Sequence, residues 1–334
     1  IMLYYTYTYT KEKMQMLHFS KSKYCLHIQC PKILWLKKYK PEAFVQDTSV
    51  ENRMTTGNVV GDLAMGLFGD YTEVTVLNKD GKPDISAMIE KTKQCLLDGV
   101  ENICEASFNY NGLYCAVDIL RKEKDGYAIY EVKSSTEPKY IYIVDISYQK
   151  YVLEKCGVKI TGTYVVNIDS DYLFDGTLDI QKLFKITDVS ALVEEEYGIH
   201  HIEAELDYAK RTLACKDEPA LDLSVGCQNP YPCGFWKYCS RHIPAPSVFD
   251  IYRMSFTKAL ELYKQGITDV KDVLTSAKLN ALQKQQIDYI LNDKPDHVDK
   301  DGIKNFLDGL SYPLYFLDFE TMQPVVPQFV GTRP

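Results

Sequence analysis

Short apolar segments alternate with helical stretches in the middle of the chain, and this alternation decides the fold class. Strands are predicted at residues 102–110, 113–120, 127–134 and 158–168, because these segments are short, apolar and bounded by turn residues. A helix is predicted over residues 142–155, between the last two strands. Helices interleaved with short apolar strands indicate an α/β or α+β protein.

Composition narrows the class of protein further. The chain has 334 residues, of which 46% are hydrophobic and 25% are charged, as in an ordinary globular protein of two domains. No run of 18 apolar residues occurs, so no membrane span is expected. The net charge of −8 excludes a uniformly basic nucleic-acid coat. A local basic face remains open, because residues 1–40 carry eight lysines and one glutamate.

Two carboxylates and an ammonium lie inside the otherwise apolar strands. A two-residue turn at residues 125–126 would place Asp118 opposite Lys133 and diagonal to Glu131. Paired carboxylates hold Mg²⁺ or Mn²⁺, and a nearby lysine orients water or neutralises charge on a phosphate. Glu105 on the preceding strand is a further candidate ligand. A half-buried ion pair in a hairpin is the alternative interpretation.

Three of the ten cysteines, Cys227, Cys233 and Cys239, recur at six-residue intervals in a segment rich in Gly and Pro. Four thiolates hold Zn²⁺ or an iron–sulfur cluster. The candidates for the fourth are, in order of preference, Cys30, Cys25 and Cys215. The spacing lacks a C-x-x-C pair, which favours iron–sulfur, while three unrelated thiols are the alternative. No signal peptide is evident, so a reducing, cytoplasmic location is expected.

Together, these two sets resemble the PD-(D/E)XK nuclease superfamily, in its RecB-like branch with a cysteine-held 4Fe–4S cluster. That branch includes CRISPR-associated adaptation nucleases and the AddB helicase–nuclease subunit. The resemblance covers residues 18–243 and rests on the order of one cysteine, then Asp and Glu-x-Lys, then three cysteines. It implies a restriction-endonuclease-like mixed sheet flanked by helices, a cysteine-cluster helical subdomain and a metal-dependent DNA nuclease, expected to be exonucleolytic.

The resemblance also assigns residue roles. It implies that Asp118, Glu131 and Lys133 are catalytic, and that Gln149 corresponds to a glutamine on a helix beside the active site. An exposed helix position is the alternative for Gln149. The chain departs from the family pattern at Gly61, which stands where the branch has a histidine. That departure keeps a non-catalytic nucleic-acid-binding module on the same fold as an alternative function. A structural zinc protein, in which the cysteines hold Zn²⁺, is a further alternative.

A second resemblance lies near the C-terminus. The apolar segment 312–319, predicted as a strand, carries Asp318 and Glu320 and is similar to the opening motif of DnaQ-like exonucleases, whose two carboxylates bind metal. The combination resembles an uncharacterised bacterial family. We therefore expect a fragment with an extension at residues 1–17, a helical linker at 244–310 and the truncated start of an exonuclease domain at 311–334.

The expected partner is DNA, with a single strand as one option, and no membrane is involved. A phosphate-binding face is predicted on the lysine-rich segment near the N-terminus, where aromatic rings would stack on bases. Its candidate residues are Lys21, Lys23, Tyr24, Lys37 and Lys38. The alternative is that Tyr24 and Trp35 are core residues and the lysines a solvated surface. A role in defence, recombination or repair, with a helicase partner, follows from the resemblance alone.

Overall fold

The computed structural model describes residues 19–46, 49–322 and 324–334. The chain divides into two compact units. Among the described residues, the first unit contains 19–38, 49–219 and 324–334, and the second contains 39–46 and 220–322. The boundary at residue 219 differs from the predicted domain end at 243. The cysteine-rich segment groups with the helices that follow it, since Trp236 packs its ring against Phe249 and Phe256.

Among the described residues, the first unit contains a mixed sheet of seven strands. The strands are β1 (Phe19–Ser20), β2 (Thr72–Glu73), β3 (Asn102–Tyr110), β4 (Leu113–Glu123), β5 (Gly126–Val132), β6 (Ile160–Ile168) and β7 (Phe184–Asp188). Their order is β2-β3-β4-β5-β6-β7, and β1 pairs with β4. The β3–β4, β4–β5 and β6–β7 pairs are antiparallel, and the others are parallel.

Helices pack against the sheet in two separate hydrophobic clusters. They are α1 (Lys21–Gln29), α2 (Pro31–Tyr39), α3 (Ser49–Ala64), α4 (Ile85–Asp98), α5 (Tyr140–Lys155), α6 (Ile180–Leu183), α7 (Ser190–His200) and α8 (Ile202–Ala214). One cluster joins the sheet to α1, α2, α4, α5, α7 and α8. The other joins it to α3 and α6. The predicted mixed sheet flanked by helices is therefore confirmed.

Local sequence signals explain several helix ends. The α4 helix begins after Asp84, whose side chain accepts from the Ala87 amide, and ends at Gly99, which takes a left-handed conformation with φ 71°. A proline separates the first two helices, because α1 ends before Cys30 and Pro31 opens α2. The α7 and α8 helices are separated at His201, where φ is 39°.

The β4–β5 hairpin has a different register from the one predicted. Glu123 pairs with Gly126, so the two loop residues are 124 and 125 rather than 125 and 126. A side chain at Gly126 would collide with the backbone oxygen of Lys159, and the absence of one lets the Tyr127 amide donate to that oxygen at 2.9 Å. The glycine thus serves the β5–β6 junction and not the turn. Because the shift is two residues, every side chain keeps its predicted face.

Two strands approach the middle of β4 from opposite directions along the same edge. β1 runs parallel to β4 and pairs at Leu113 and Tyr114, whereas β5 runs antiparallel and pairs from Glu123 back to Ile119. The C-terminal ends of β1 and β5 therefore both point toward the stretch between these paired segments. Asp118 lies in that stretch, so residues that follow β1 and residues that end β5 come together beside it.

The second unit is helical. It contains α9 (Trp236–Cys239), α10 (Phe256–Lys264), α11 (Val270–Ser276), α12 (Ala281–Leu291) and α13 (Lys300–Asp308). A core of its own includes Val248, Ala259, Val273 and Ile287. The predicted strand at 312–319 is wrong, since no strand forms there in the structure. Tyr315 and Phe316 are 90% and 92% exposed, so the segment lacks the packing that stabilises an apolar strand. Among the described residues, no helix has the length and apolar character required to span a membrane.

Candidate active site

The two predicted carboxylates meet at the end of the β4–β5 ladder. Ile119 pairs with Tyr130, so the next step along both strands brings Asp118 opposite Glu131. The backbone amide of Val132 donates to Asp118 Oδ2 at 2.7 Å, which fixes this carboxylate at the strand end. Glu131 is fully buried, whereas the Asp118 side chain is 24% exposed. The hairpin therefore presents one buried and one accessible acid at the same place.

Two lysines pair with these acids, and both donate to Glu131 Oε1. Lys133 donates to Glu131 Oε1 and, at 3.3 Å, to Asp145 Oδ2. Lys21, the first residue of α1, has its Nζ 3.1 Å from Glu131 Oε1 and 3.9 Å from Asp118 Oδ1. Its Nζ also lies 4.0 Å from Asp145 Oδ2. Lys21, predicted as a nucleic-acid contact, is thus placed inside the carboxylate cluster.

The α5 helix adds an acid and an amide. Asp145 and Gln149 are four residues apart and so lie on the same helical face. Gln149 is fully buried and its Nε2 donates to Glu131 Oε2 at 2.7 Å and to Asp145 Oδ1 at 3.1 Å. The alternative of an exposed Gln149 is therefore wrong. Gln149 Oε1 is buried and has no hydrogen-bond partner, so an acceptor stays available beside the acids.

Glu105 extends the row of acids onto β3. Cys104 pairs with Ile119 and Ala106 with Val117, so Glu105 lies at the register position opposite Asp118. Its φ of 58° is left-handed, a conformation that is costly for a residue with a side chain and is often found at functional sites. Burial, followed by the charge of Asp118, raises the pKa of Glu105 to about 7.

The remaining pKa values show that negative charge is in excess. Burial, followed by the charge of Glu131, raises the pKa of Asp118 to about 6. Burial alone would raise the pKa of Glu131, but Lys133 and then Lys21 hold it well below its usual range. Burial would lower the pKa of Lys21, but Asp145, Glu131 and Asp118 raise it. Glu131 is therefore the ionised anchor of the cluster, while Asp118 lacks a full counter-charge.

A charge count shows what the cluster can bind. Four carboxylates (Glu105, Asp118, Glu131 and Asp145) face two ammonium groups (Lys21 and Lys133), which leaves −2 when all are ionised. The donors are oxygens, the type that Mg²⁺ and Mn²⁺ prefer. The donor set thus fits a divalent cation in charge and in chemistry. In the side-chain geometry of the described residues, no group of three or more His, Cys, Asp or Glu is already arranged around a metal position.

The predicted nucleic-acid face is only partly available. Tyr24 is 1% exposed and stacks on Tyr148 with ring centroids 5.0 Å apart, so its ring cannot receive a base, and the alternative of a core residue is confirmed. Lys23, Lys37 and Lys38 are exposed. Lys38 donates to the Leu213 backbone oxygen at 2.9 Å, which ties its side chain to the end of α8.

The four predicted cluster cysteines lie in different units. Cys30 follows α1 in the first unit, whereas the other three lie in the second. There the segment folds back on itself, since the Cys233 amide donates to the Cys227 oxygen at 2.9 Å. Cys239 ends the short α9 helix. The thiols therefore remain candidate ligands whose assembly into one centre is a prediction.

Asp318 and Glu320, the predicted second site, are both exposed, in a segment without secondary structure.

Comparison with known proteins does not identify a family for this chain. The chain matches no protein-family model, and no curated protein matches it at a significant level. The candidate active site accordingly rests on residues and geometry.

The sequence does not predict that two residues, Lys21 and Asp145, belong to the carboxylate cluster. Lys21 reaches it from 110 residues before Glu131, through the two-residue strand β1, which is too short to leave a pattern. Asp145 does leave a signal, because it stands one helical turn before Gln149 in a predicted helix. An acid at that spacing from a candidate site glutamine identifies the helical face that meets the hairpin.

Proposed function

We propose that this chain is a metal-dependent deoxyribonuclease of the PD-(D/E)XK type. The observation that carries the proposal is the excess of carboxylates over lysines where β5 ends beside the middle of β4. A buried cluster with uncompensated charge is costly, and proteins retain such clusters mainly where they bind ions or catalyse reactions. The motif order in the sequence supports the restriction-endonuclease-like form of the fold.

Glu105, Asp118 and Glu131 would hold the cation, with Asp145 as a neighbouring acid. A bound Mg²⁺ or Mn²⁺ supplies charge stabilisation at the phosphate and lowers the pKa of coordinated water. Lys133 is held by Glu131 and Asp145 with its side chain 22% exposed, so its ammonium can donate to a phosphate oxygen or orient water. Gln149 fixes the Glu131 carboxylate, which keeps the buried acid in one orientation.

The cysteines would serve a structural purpose. We propose a 4Fe–4S cluster held by Cys30, Cys227, Cys233 and Cys239, with Zn²⁺ as the alternative occupant. The binding energy of such a centre would contribute to folding. DNA, whether single- or double-stranded, is the proposed substrate class, and a repair or defence setting follows only from the resemblance.

The test is cleavage of end-labelled single- and double-stranded DNA in Mg²⁺, Mn²⁺ or EDTA. Cleavage should require the divalent cation and should fall by at least 100-fold in Asp118→Asn and Glu131→Gln, because each removes a ligand charge. Glu123→Gln is the matched control, since Glu123 lies on β4 but outside the cluster. Full activity in both site variants, or cleavage in EDTA, would refute the proposal.

A non-catalytic nucleic-acid-binding module is the second candidate. It is favoured by Lys21, whose ammonium contacts the acids that a metal would need. Such a module would bind DNA with the same affinity in EDTA and in Mg²⁺ and would leave the DNA intact. Filter binding and the cleavage assay, performed on the same preparation, separate the two candidates.

A further inference from the structure

Lys21 occupies the point toward which the acids of the site converge. Among the described residues, it is the cation whose Nζ lies within 4.0 Å of Asp118, Glu131 and Asp145 together. It faces both oxygens of Glu131, at 3.1 and 3.4 Å. An ammonium and a divalent cation cannot share one position, because both need the same carboxylate oxygens and repel each other.

We propose that Lys21 is an internal competitor of the divalent cation, which the metal must displace in order to bind. This inference rests on the proposed metal site and adds its regulation. In the metal-free protein the ammonium offsets part of the negative charge, and in the metal-bound protein it moves away from Glu131. The affinity for metal is consequently weaker than the carboxylates alone would give.

The two lysines of the site differ in how firmly they are held. Lys133 directly follows β5, and its backbone amide donates to the Val166 oxygen at 2.8 Å. Its ammonium lies 5.3 Å from the ring centroid of Tyr142, as a cation–π contact. Lys21 contributes only a flexible four-carbon stem from the first turn of α1, with 23% of its side chain exposed. Displacement of Lys21 therefore requires side-chain rotation toward solvent, with no change in the backbone.

The test measures metal binding in the absence of DNA. Mn²⁺ is titrated into the purified protein, and free Mn²⁺ is followed by electron paramagnetic resonance. Lys21→Met keeps an unbranched side chain, shorter by one atom, and removes its charge. We expect it to lower the Kd for Mn²⁺ by at least tenfold, which corresponds to about 1.4 kcal/mol. Lys21→Arg, which retains a positive charge, should not show this gain.

Two lysine variants make the comparison specific. Lys93→Met, in an exposed ion pair on α4, should leave the Kd unchanged. Lys133→Met removes an equal charge from the same cluster and should increase the affinity less than Lys21→Met does. An equal or larger gain in Lys133→Met would overturn the proposal, because general charge removal would then explain both. An unchanged or weaker affinity in Lys21→Met would overturn it as well.

A measurement on the unaltered protein covers the case in which Lys21→Met does not fold. With lysine labelled by ¹⁵N at Nζ, the Lys21 signal is identified by its absence in Lys21→Arg. Addition of Mg²⁺ should shift that signal toward the position of solvent-exposed lysines, and a signal that does not move would contradict displacement. Tighter metal binding in Lys21→Met, together with no DNA cleavage by the unaltered protein, would support this inference while refuting the nuclease. Absence of Mn²⁺ binding in every variant would refute both.

Discussion

Asp118 provides a sharp test of the charge excess, because its replacement should stabilise the protein while destroying its activity. Asp118→Asn preserves the shape of the side chain and an oxygen that can accept from the Val132 amide. It removes a negative charge from a site that contains more acids than cations. We therefore expect the metal-free variant to be more stable than the unaltered protein at neutral pH.

The size of the effect follows from the pKa of Asp118, which is raised from 3.8 to about 6. At 1.36 kcal/mol for each tenfold change in the proton equilibrium, ionised Asp118 costs the folded state up to about 3 kcal/mol. This is an upper limit, because the side chain is 24% exposed and solvent screens part of the charge. The increase in the free energy of unfolding of Asp118→Asn should approach this limit at pH values above the folded-state pKa of Asp118.

The raised pKa also determines how the difference in free energy of unfolding between the two proteins changes with pH. When the folded-state pKa of an acid is raised, its favourable contribution is complete below the unfolded-state pKa and is lost as the pH rises through the folded-state value. The two proteins should thus have similar free energies of unfolding near pH 3.5. The difference should grow between pH 4 and pH 6 and then remain constant. Urea denaturation followed by circular dichroism, in EDTA, measures it at each pH.

Two comparisons complete the experiment. Saturating Mg²⁺ should stabilise the unaltered protein, since a ligand that binds the folded state adds to stability. The difference in free energy of unfolding between it and Asp118→Asn should therefore become smaller. Asp70→Asn, an exposed position in the same unit, should change stability little. If Asp118→Asn is less stable than the unaltered protein at pH 7, Asp118 is a satisfied structural acid and the charge argument fails.

Further predictions concern strain, packing and the cysteines. Glu105→Gly should be more stable than Glu105→Ala by about 1 kcal/mol in urea denaturation, because glycine adopts a φ of 58° without strain; equal stabilities would remove the claim of strain. Tyr24→Ala should lower stability by about 3–5 kcal/mol through loss of a buried ring, whereas Tyr24→Phe should retain DNA affinity, and a loss of affinity there would restore a contact role. Anaerobically purified protein should be brown, with iron and labile sulfide that Cys233→Ser loses; colourless protein containing zinc would favour the alternative metal.

The local part of the site is what the sequence predicts well. Asp118, Glu131 and Lys133 lie on one hairpin, and period-two alternation places them on one face in either register. The turn itself is misplaced because Gly126, a strong turn residue, is used at the junction with β6. A glycine can serve either a turn or a close approach of a neighbouring strand. The sequence of the hairpin alone does not show which of the two applies at Gly126.

Long-range contributions are harder to predict, for a physical reason. Lys21 reaches the site through a pairing of two residues, too few to show any periodicity. The segment at 312–319 is wrongly predicted for a related reason. Its composition favours a strand, but the segment does not pair with another strand in the structure. Local sequence gives the propensity of a segment, whereas pairing depends on what lies beside it.

The separation of Lys21 from the hairpin has a consequence for how the protein assembles. Contacts between nearby residues form early because closing a short loop costs little entropy, and the β3–β4–β5 meander is built from such contacts. The partner cation arrives only after a loop of 110 residues has closed. The refolding chain should therefore pass through a stage in which the acids have Lys133 but lack Lys21. Their mutual repulsion is then greatest, and dissolved divalent salts would reduce it before any substrate is present.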